Sequence, residues 1–168
     1  MIPLRARSVV LVALVVALAA PACTAEPGAA SAGDDLTDPE LPARGTADLP
    51  AWLAAGYYRA WHCEPEAHDA RAPSPHGRNR ICNNAALHAA GPGAFPAGAA
   101  SVKEISDGGT MSFAVSRKLS DATGGDAWYW YESNPSDPDH VYANGPGIPG
   151  CTGCHGGAAR DYVFTVVP

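Results

Sequence analysis

Cys151-Thr152-Gly153-Cys154-His155, with only 13 residues after it, is the stretch whose residue types and spacing can do chemistry. Two thiols two residues apart can form a redox dithiol or half of a zinc site. They can also add to the vinyl groups of a haem, leaving the next histidine as the axial iron ligand. A redox dithiol wants its cysteines at the start of a helix that follows a strand, where the helix dipole lowers a thiol pKa. Here Gly145-Pro146-Gly147-Ile148-Pro149-Gly150 precedes the pair and two glycines follow, a context that does not favour a dithiol helix. Zinc would need two more ligands at comparable spacing, yet there is no second CxxC and no HxxxH, and His62, His68, His76, His88 and His140 show no ligand spacing. The motif therefore reads as the attachment site of one covalently held c-type haem, with Cys151 and Cys154 as the bonded thiols and His155 as the metal ligand.

The compartment suits that chemistry. Residues 1–22 open with Arg5 and Arg7, run apolar from Val9 to Ala20 and end in small residues, the organisation of a secretory signal peptide. The apolar run is shorter than the ~20 residues of a membrane span. Cys23 either carries a lipid, anchoring a lipoprotein to a membrane, or is a thiol beside an ordinary cleavage site. Export to the periplasm or the cell surface is expected. Residues 23–48, rich in Ala, Gly, Pro and Asp, read as a flexible linker, and 49–168 as one domain. Without Arg5 and Arg7 the charge balance is 9 basic against 17 acidic residues, net −8, which argues against nucleic acid as a partner and for a small ligand. Cys63 and Cys82, the remaining cysteines outside the cytosol, are expected to form a disulfide tying an N-terminal helix to the first strand, contributing roughly 3 kcal/mol in the chain-entropy model.

The elements that must position the motif are mostly strands. Residues 50–61 place Leu53, Tyr57 and Trp61 at steps of four behind Pro50 and predict a short amphipathic helix weakened by Gly56. A polar loop, 64–77, follows. Segments 78–83, 99–106, 110–117 and 127–133, bounded by Gly, Pro, Asn or Asp, read as strands, as does 161–167; a short helix is expected between 87 and 98. Trp128-Tyr129-Trp130-Tyr131 is aromatic on both faces. That suits a central strand covered by a helix on one side and, on the other, by ordinary core or by something large and flat. The fold class is thus α+β, mainly β: an antiparallel sheet with a few short helices packed around one c-type haem.

Common electron-transfer cytochromes carry CxxCH near the N-terminus and a methionine far downstream. Here Met111, the sole methionine besides Met1, lies 40 residues upstream of Cys151 on a predicted strand and reads as a core filler. Four long helices are argued against by the Gly and Pro content. The arrangement instead resembles the cytochrome P-460 and cytochrome c′-beta family. The resemblance runs through Ser74-Pro75-His76-Gly77, Phe95-Pro96-Ala97-Gly98-Ala99-Ala100-Ser101-Val102-Lys103-Glu104-Ile105, Trp128 to Tyr131, Cys151 to His155 and Asp161-Tyr162-Val163-Phe164-Thr165, covering about 52–168.

What the resemblance implies is a β-rich monohaem domain, often dimeric, that binds or oxidises small nitrogen species such as nitric oxide and hydroxylamine and exchanges electrons with an external redox partner. Within the family, one branch oxidises its substrate at a haem cross-linked to a lysine and the other binds gases at an uncross-linked haem. Lys103 is the position matching the cross-linking lysine; it either faces the haem or is a solvated lysine paired with Glu104. His76 matches the start of a strand near the open side of the haem, where it is a distal group, a sixth ligand or a loop histidine. Glu104 and Glu132 are the candidates for a proton-accepting carboxylate. The alternative function is a six-coordinate electron-transfer cytochrome or a haem-based sensor, so whether the chain is an enzyme stays open.

Overall fold

The computed structural model describes residues 41–42, 48–107, 109–134 and 137–168. The proposed signal peptide, Cys23 and most of the 23–48 linker lie outside them. Helix α1, Asp48–Ala55, carries Pro50 in its first turn and is ended by Gly56, whose φ of +74° is the left-handed conformation that glycine supplies at helix ends. A single 3-10 turn, Tyr57–Ala60, follows. The break rotates the predicted 50–61 stripe: Leu53 and Trp61 are buried as expected, but Tyr57 is 55% exposed and Tyr58 takes its place in the core.

Six strands follow in an antiparallel meander: β1 His62–Cys63, β2 Arg78–Asn83, β3 Ala100–Asp107, β4 Thr110–Lys118, β5 Trp128–Asn134 and β6 Asp137–Pro146, hydrogen-bonded in that order. The four strands predicted between 78 and 133 are present within a residue at either end. Strand β6 was not predicted, because DPDHVYANGP has the composition of a turn. It is an edge strand, where proline does not break a ladder on its open side. The terminal strand predicted at 161–167 does not form. Asp161 and Tyr162 adopt φ of +36° and +65°, which turns the chain away from any ladder beyond a single Arg160–Val163 bridge. Helix α2, Ala85–His88, starts earlier than expected because Asn84 caps it, its side-chain oxygen accepting from Leu87 N at 3.0 Å. The disulfide Cys63–Cys82 forms, but it joins β1 to β2 at directly opposed positions, since Cys63 is itself in a strand.

Each sheet face is covered. On one, α1 and the 3-10 turn bring Leu49, Trp52, Leu53, Tyr58 and Trp61 onto Val102, Val115, Tyr129 and Tyr131. Leu41, inside the stretch read as linker, is 5% exposed in this same cluster, so the packed domain begins before residue 49. Met111 is 46% exposed rather than a core filler, lying on β4 beyond Phe113, where that cover ends. On the other face Leu87, Phe95, Trp128, Trp130 and Ala143 form a second core, against which Ile148, Cys151, Tyr162 and Val163 pack. Among the described residues no helix is long and apolar enough to cross a membrane.

Candidate functional site

The second face holds the site, and the register of the sheet explains why. Ile81, Lys103, Ala114, Glu132 and Ala143 are opposed in succession across β2 to β6, so all five side chains rise from one face. The next row on that face is Asn83, Ser101, Ser116, Trp130 and Gly145. Small side chains at Ser101, Ala114, Ser116, Ala143 and Gly145 therefore make a low floor, with Lys103, Trp130 and Glu132 standing up from it. Lys103 and Glu132 are separated by one intervening strand, ~10 Å between backbones at ordinary strand spacing. Two adjoining cavities of about 200 and 230 Å³ open above this floor, both bordered by His76, Ser101, Lys103, Ser116, Cys154 and His155. Together they fall in the ~300–1,000 Å³ range of cofactor and ligand sites.

The roof is the motif itself. Gly147 turns the chain out of β6 at φ +59°, its N–H donating to Trp128 O at 3.0 Å, and helix α3, Pro149–His155, begins with proline in its first turn. The CxxCH segment is thus helical after a strand, contrary to the expectation drawn from its glycines: Gly150 and Gly153 are exposed and pack against nothing, so they do not interrupt a helix held by its apolar neighbours. It is still unlike a redox dithiol. Both thiols are unpaired, and burial, followed by the nearby Glu132 and Cys154, pushes the Cys151 thiol up to about 11, the opposite of an activated thiolate.

His155 Nδ1 lies 2.8 Å from the carbonyl oxygen of Tyr162. A carbonyl can only accept, so the ring proton sits on Nδ1 and the lone pair is left on Nε2. Burial lowers the proton affinity of this histidine, aided by the nearby Lys103 and opposed by the bond to Tyr162 and by Glu132, so the neutral ring is favoured. Trp130 and Phe164 flank the imidazole, with ring centroids 4.6 and 5.3 Å away. Trp130 Nε1 is buried without a hydrogen-bond partner among the described residues, and the Trp130 side chain borders one of the cavities.

The 64–77 loop closes a third side. Buried Glu64 fastens it, accepting from Ile81 N at 2.9 Å and contacting His68 Nε2 at 2.9 Å and Arg71 at 2.6 Å. Burial pushes this carboxyl upward, but Arg71, Ile81 N–H and His68 together hold it below its ordinary range. The loop delivers His76, whose Nδ1 is 3.3 Å from Glu132 Oε1. Lys103 faces the cavities, and burial lowers its proton affinity against the pull of Glu132 and Glu64. The structure therefore brings together Lys103, His76, Glu132, Cys151, Cys154 and His155.

It does not bring in Glu104, which, next to Lys103 on β3, points to the opposite face and accepts from Tyr58 Oη (2.5 Å) and Arg59 Nε (3.0 Å). Two contributors were missed by sequence reasoning: the Tyr162 carbonyl, whose role depends on backbone direction alone, and Trp130 as a wall of the cavity beside His155, although its aromatic run was noted. Among the described residues no group of three or more His, Cys, Asp or Glu side chains is gathered closely enough to hold a metal ion. No family model, no curated protein and no solved structure matches the chain.

Proposed function

We propose that this chain is an exported c-type monohaem protein, similar to the cytochrome P-460 and c′-beta family, that binds or oxidises a small nitrogen ligand such as nitric oxide or hydroxylamine. The observation that carries the reading is the state of His155. It directly follows two unpaired thiols on one short helix, lines the cavities, is favoured neutral, and has its Nδ1–H committed to Tyr162 O, which is the arrangement of a metal-ligating histidine with a fixed tautomer. The residues fit the group: a low floor of small side chains, a flanking wall of Trp130 and Phe164, and two thiols and an imidazole bordering one space suit a flat macrocycle bonded through two thioethers.

Cys151 and Cys154 would hold the haem through thioethers and His155 Nε2 would ligate its iron. The haem supplies a redox-active metal that can coordinate the nitrogen ligand, with its electrons passing to an external partner. The chain's own residues do the rest. Tyr162 O fixes the imidazole, Trp130 and Phe164 flank it, and Glu132, beside His76, is the carboxylate available to accept a proton from a ligand in the cavity. Lys103, made a readier nucleophile by burial, is the group available for a covalent link to the macrocycle.

An absorption spectrum of the purified holoprotein tests the reading: a ferrous spectrum that changes on nitric oxide addition is expected, and a red-shifted Soret band resistant to haem extraction if Lys103 is linked. One observation favours a second reading. His76 Nδ1 is directed at Glu132, so its Nε2 is available as a sixth ligand, giving a six-coordinate electron carrier. A low-spin ferrous spectrum indifferent to nitric oxide would select that reading and overturn the open site.

A further inference from the structure

A second buried ionic group lies behind the site rather than in it. Lys118, the last residue of β4, has a side chain with no exposure and donates to both oxygens of Asp161, at 2.7 and 2.9 Å. Asp161 also accepts from Phe95 N at 2.8 Å and Trp128 Nε1 at 3.4 Å, and the Lys118 ammonium sits 5.0 Å from the Trp128 ring centroid. An ion pair this deep is costly to bury, so its partners and hydrogen bonds must be fixed for it to persist. What it fixes is unusual backbone. Asp161 and Tyr162 are the two non-glycine residues with left-handed φ among the described residues, and a bulky tyrosine in that region is strained unless its surroundings over-determine it. The result of the double left-handed turn is that Tyr162 O faces back to His155 Nδ1.

We propose that Lys118 and Asp161 are a positioning pair for His155. Their buried ion pair holds residues 161–162 in the left-handed turn, and the turn presents the Tyr162 carbonyl that sets the tautomer and basicity of the imidazole. The pair touches neither the cavity ligand nor the iron; it acts through the backbone. This rests on His155 being the axial ligand. The lysine is the less expected member, since it ends a strand otherwise read as half-buried and its charge serves no surface.

Asp161→Asn isolates the charge, because asparagine has the same shape and tolerates the same φ. Lys118→Met removes the other half, and Glu104→Gln, in the ionic network of the opposite sheet face, is the control for general loss of stability. In the holoprotein, Asp161→Asn and Lys118→Met are expected to shift the ferrous iron–histidine stretching band to lower frequency and to raise the midpoint potential, because a weaker Nδ1 bond makes a less basic ligand. Glu104→Gln is expected to lower the melting temperature with neither change. The proposal is overturned if Asp161→Asn melts earlier but keeps the wild-type stretching band and potential. If the wild-type chain carried no haem, the function proposed above would fail separately. The pair would still be judged by the ring 15N shifts of His155, with a proton fixed on Nδ1 in wild type and redistributed between both nitrogens in Asp161→Asn; unchanged shifts would overturn it.

Discussion

Lys103 and Glu104 are adjacent on β3 and point to opposite faces, and the chemistry of each follows from what it meets there. Glu104 is saturated by Tyr58, Arg59 and Arg80 and has no route to the cavity. Glu132 lies 3.3 Å from His76 Nδ1 and borders the space a ligand would fill. Replacing Glu132 by Gln is therefore expected to slow hydroxylamine oxidation by ~10²-fold or more while leaving nitric oxide binding intact, the range for loss of a general base; stopped-flow spectroscopy of the variant against Glu104→Gln checks it, and equal rates in wild type and Glu132→Gln would remove the carboxylate from the chemistry. Lys103→Leu is expected to abolish any extraction-resistant, red-shifted haem band, and an unchanged spectrum would reject the link. The sequence could not separate Glu104 from Glu132, because both faces of the sheet are buried and alternation alone does not say which face holds the site.

At the scale of elements, turns decide where the motif sits. Gly147 has φ +59°, and a Cβ there would collide with the Asp126 carboxylate, so Gly147→Ala combines backbone strain with a clash at the entrance to α3. A loss of at least ~1 kcal/mol is expected in denaturant unfolding. The strands between 78 and 133 were legible because clear breakers bound them, with period-two alternation of Met111, Phe113 and Val115 in 110–117 and an aromatic run in 127–133. Strand β6 was not, since its pairing with β5 rather than its own composition makes it a strand, with register shifts near Ser133. Residues 161–167 misled for the converse reason: a β-branched tail looks like a strand, but the Lys118–Asp161 pair, invisible to local pattern, bends it. Gly56 was recognised as a weak point in the first helix, and the structure makes it the end of that helix, which is why Tyr58 rather than Tyr57 is in the core.

For the whole molecule, the two carboxyls held below their ordinary range among the described residues contribute to its acid tolerance. Asp161 is pushed up by burial but held down more strongly by Lys118, Phe95 N–H and Trp128, and Glu64 is likewise held down by Arg71, Ile81 N–H and His68. A depressed folded-state pKa contributes stability above the unfolded value of about 4, and this contribution is lost as pH falls below it. Thermal melts are expected to be lower at pH 3 than at pH 6, with a smaller difference in Asp161→Asn. Reducing the Cys63–Cys82 bridge is expected to cost roughly 3 kcal/mol, measured by urea unfolding with and without reductant. The cavity under α3 is proposed to hold a haem bonded to Cys151 and Cys154. The mass of the denatured chain, purified after export, tests it most directly. One covalently retained haem is expected in wild type and none in the Cys151→Ser, Cys154→Ser double variant, whereas an unmodified wild-type mass, or haem retained by the double variant, would contradict the account.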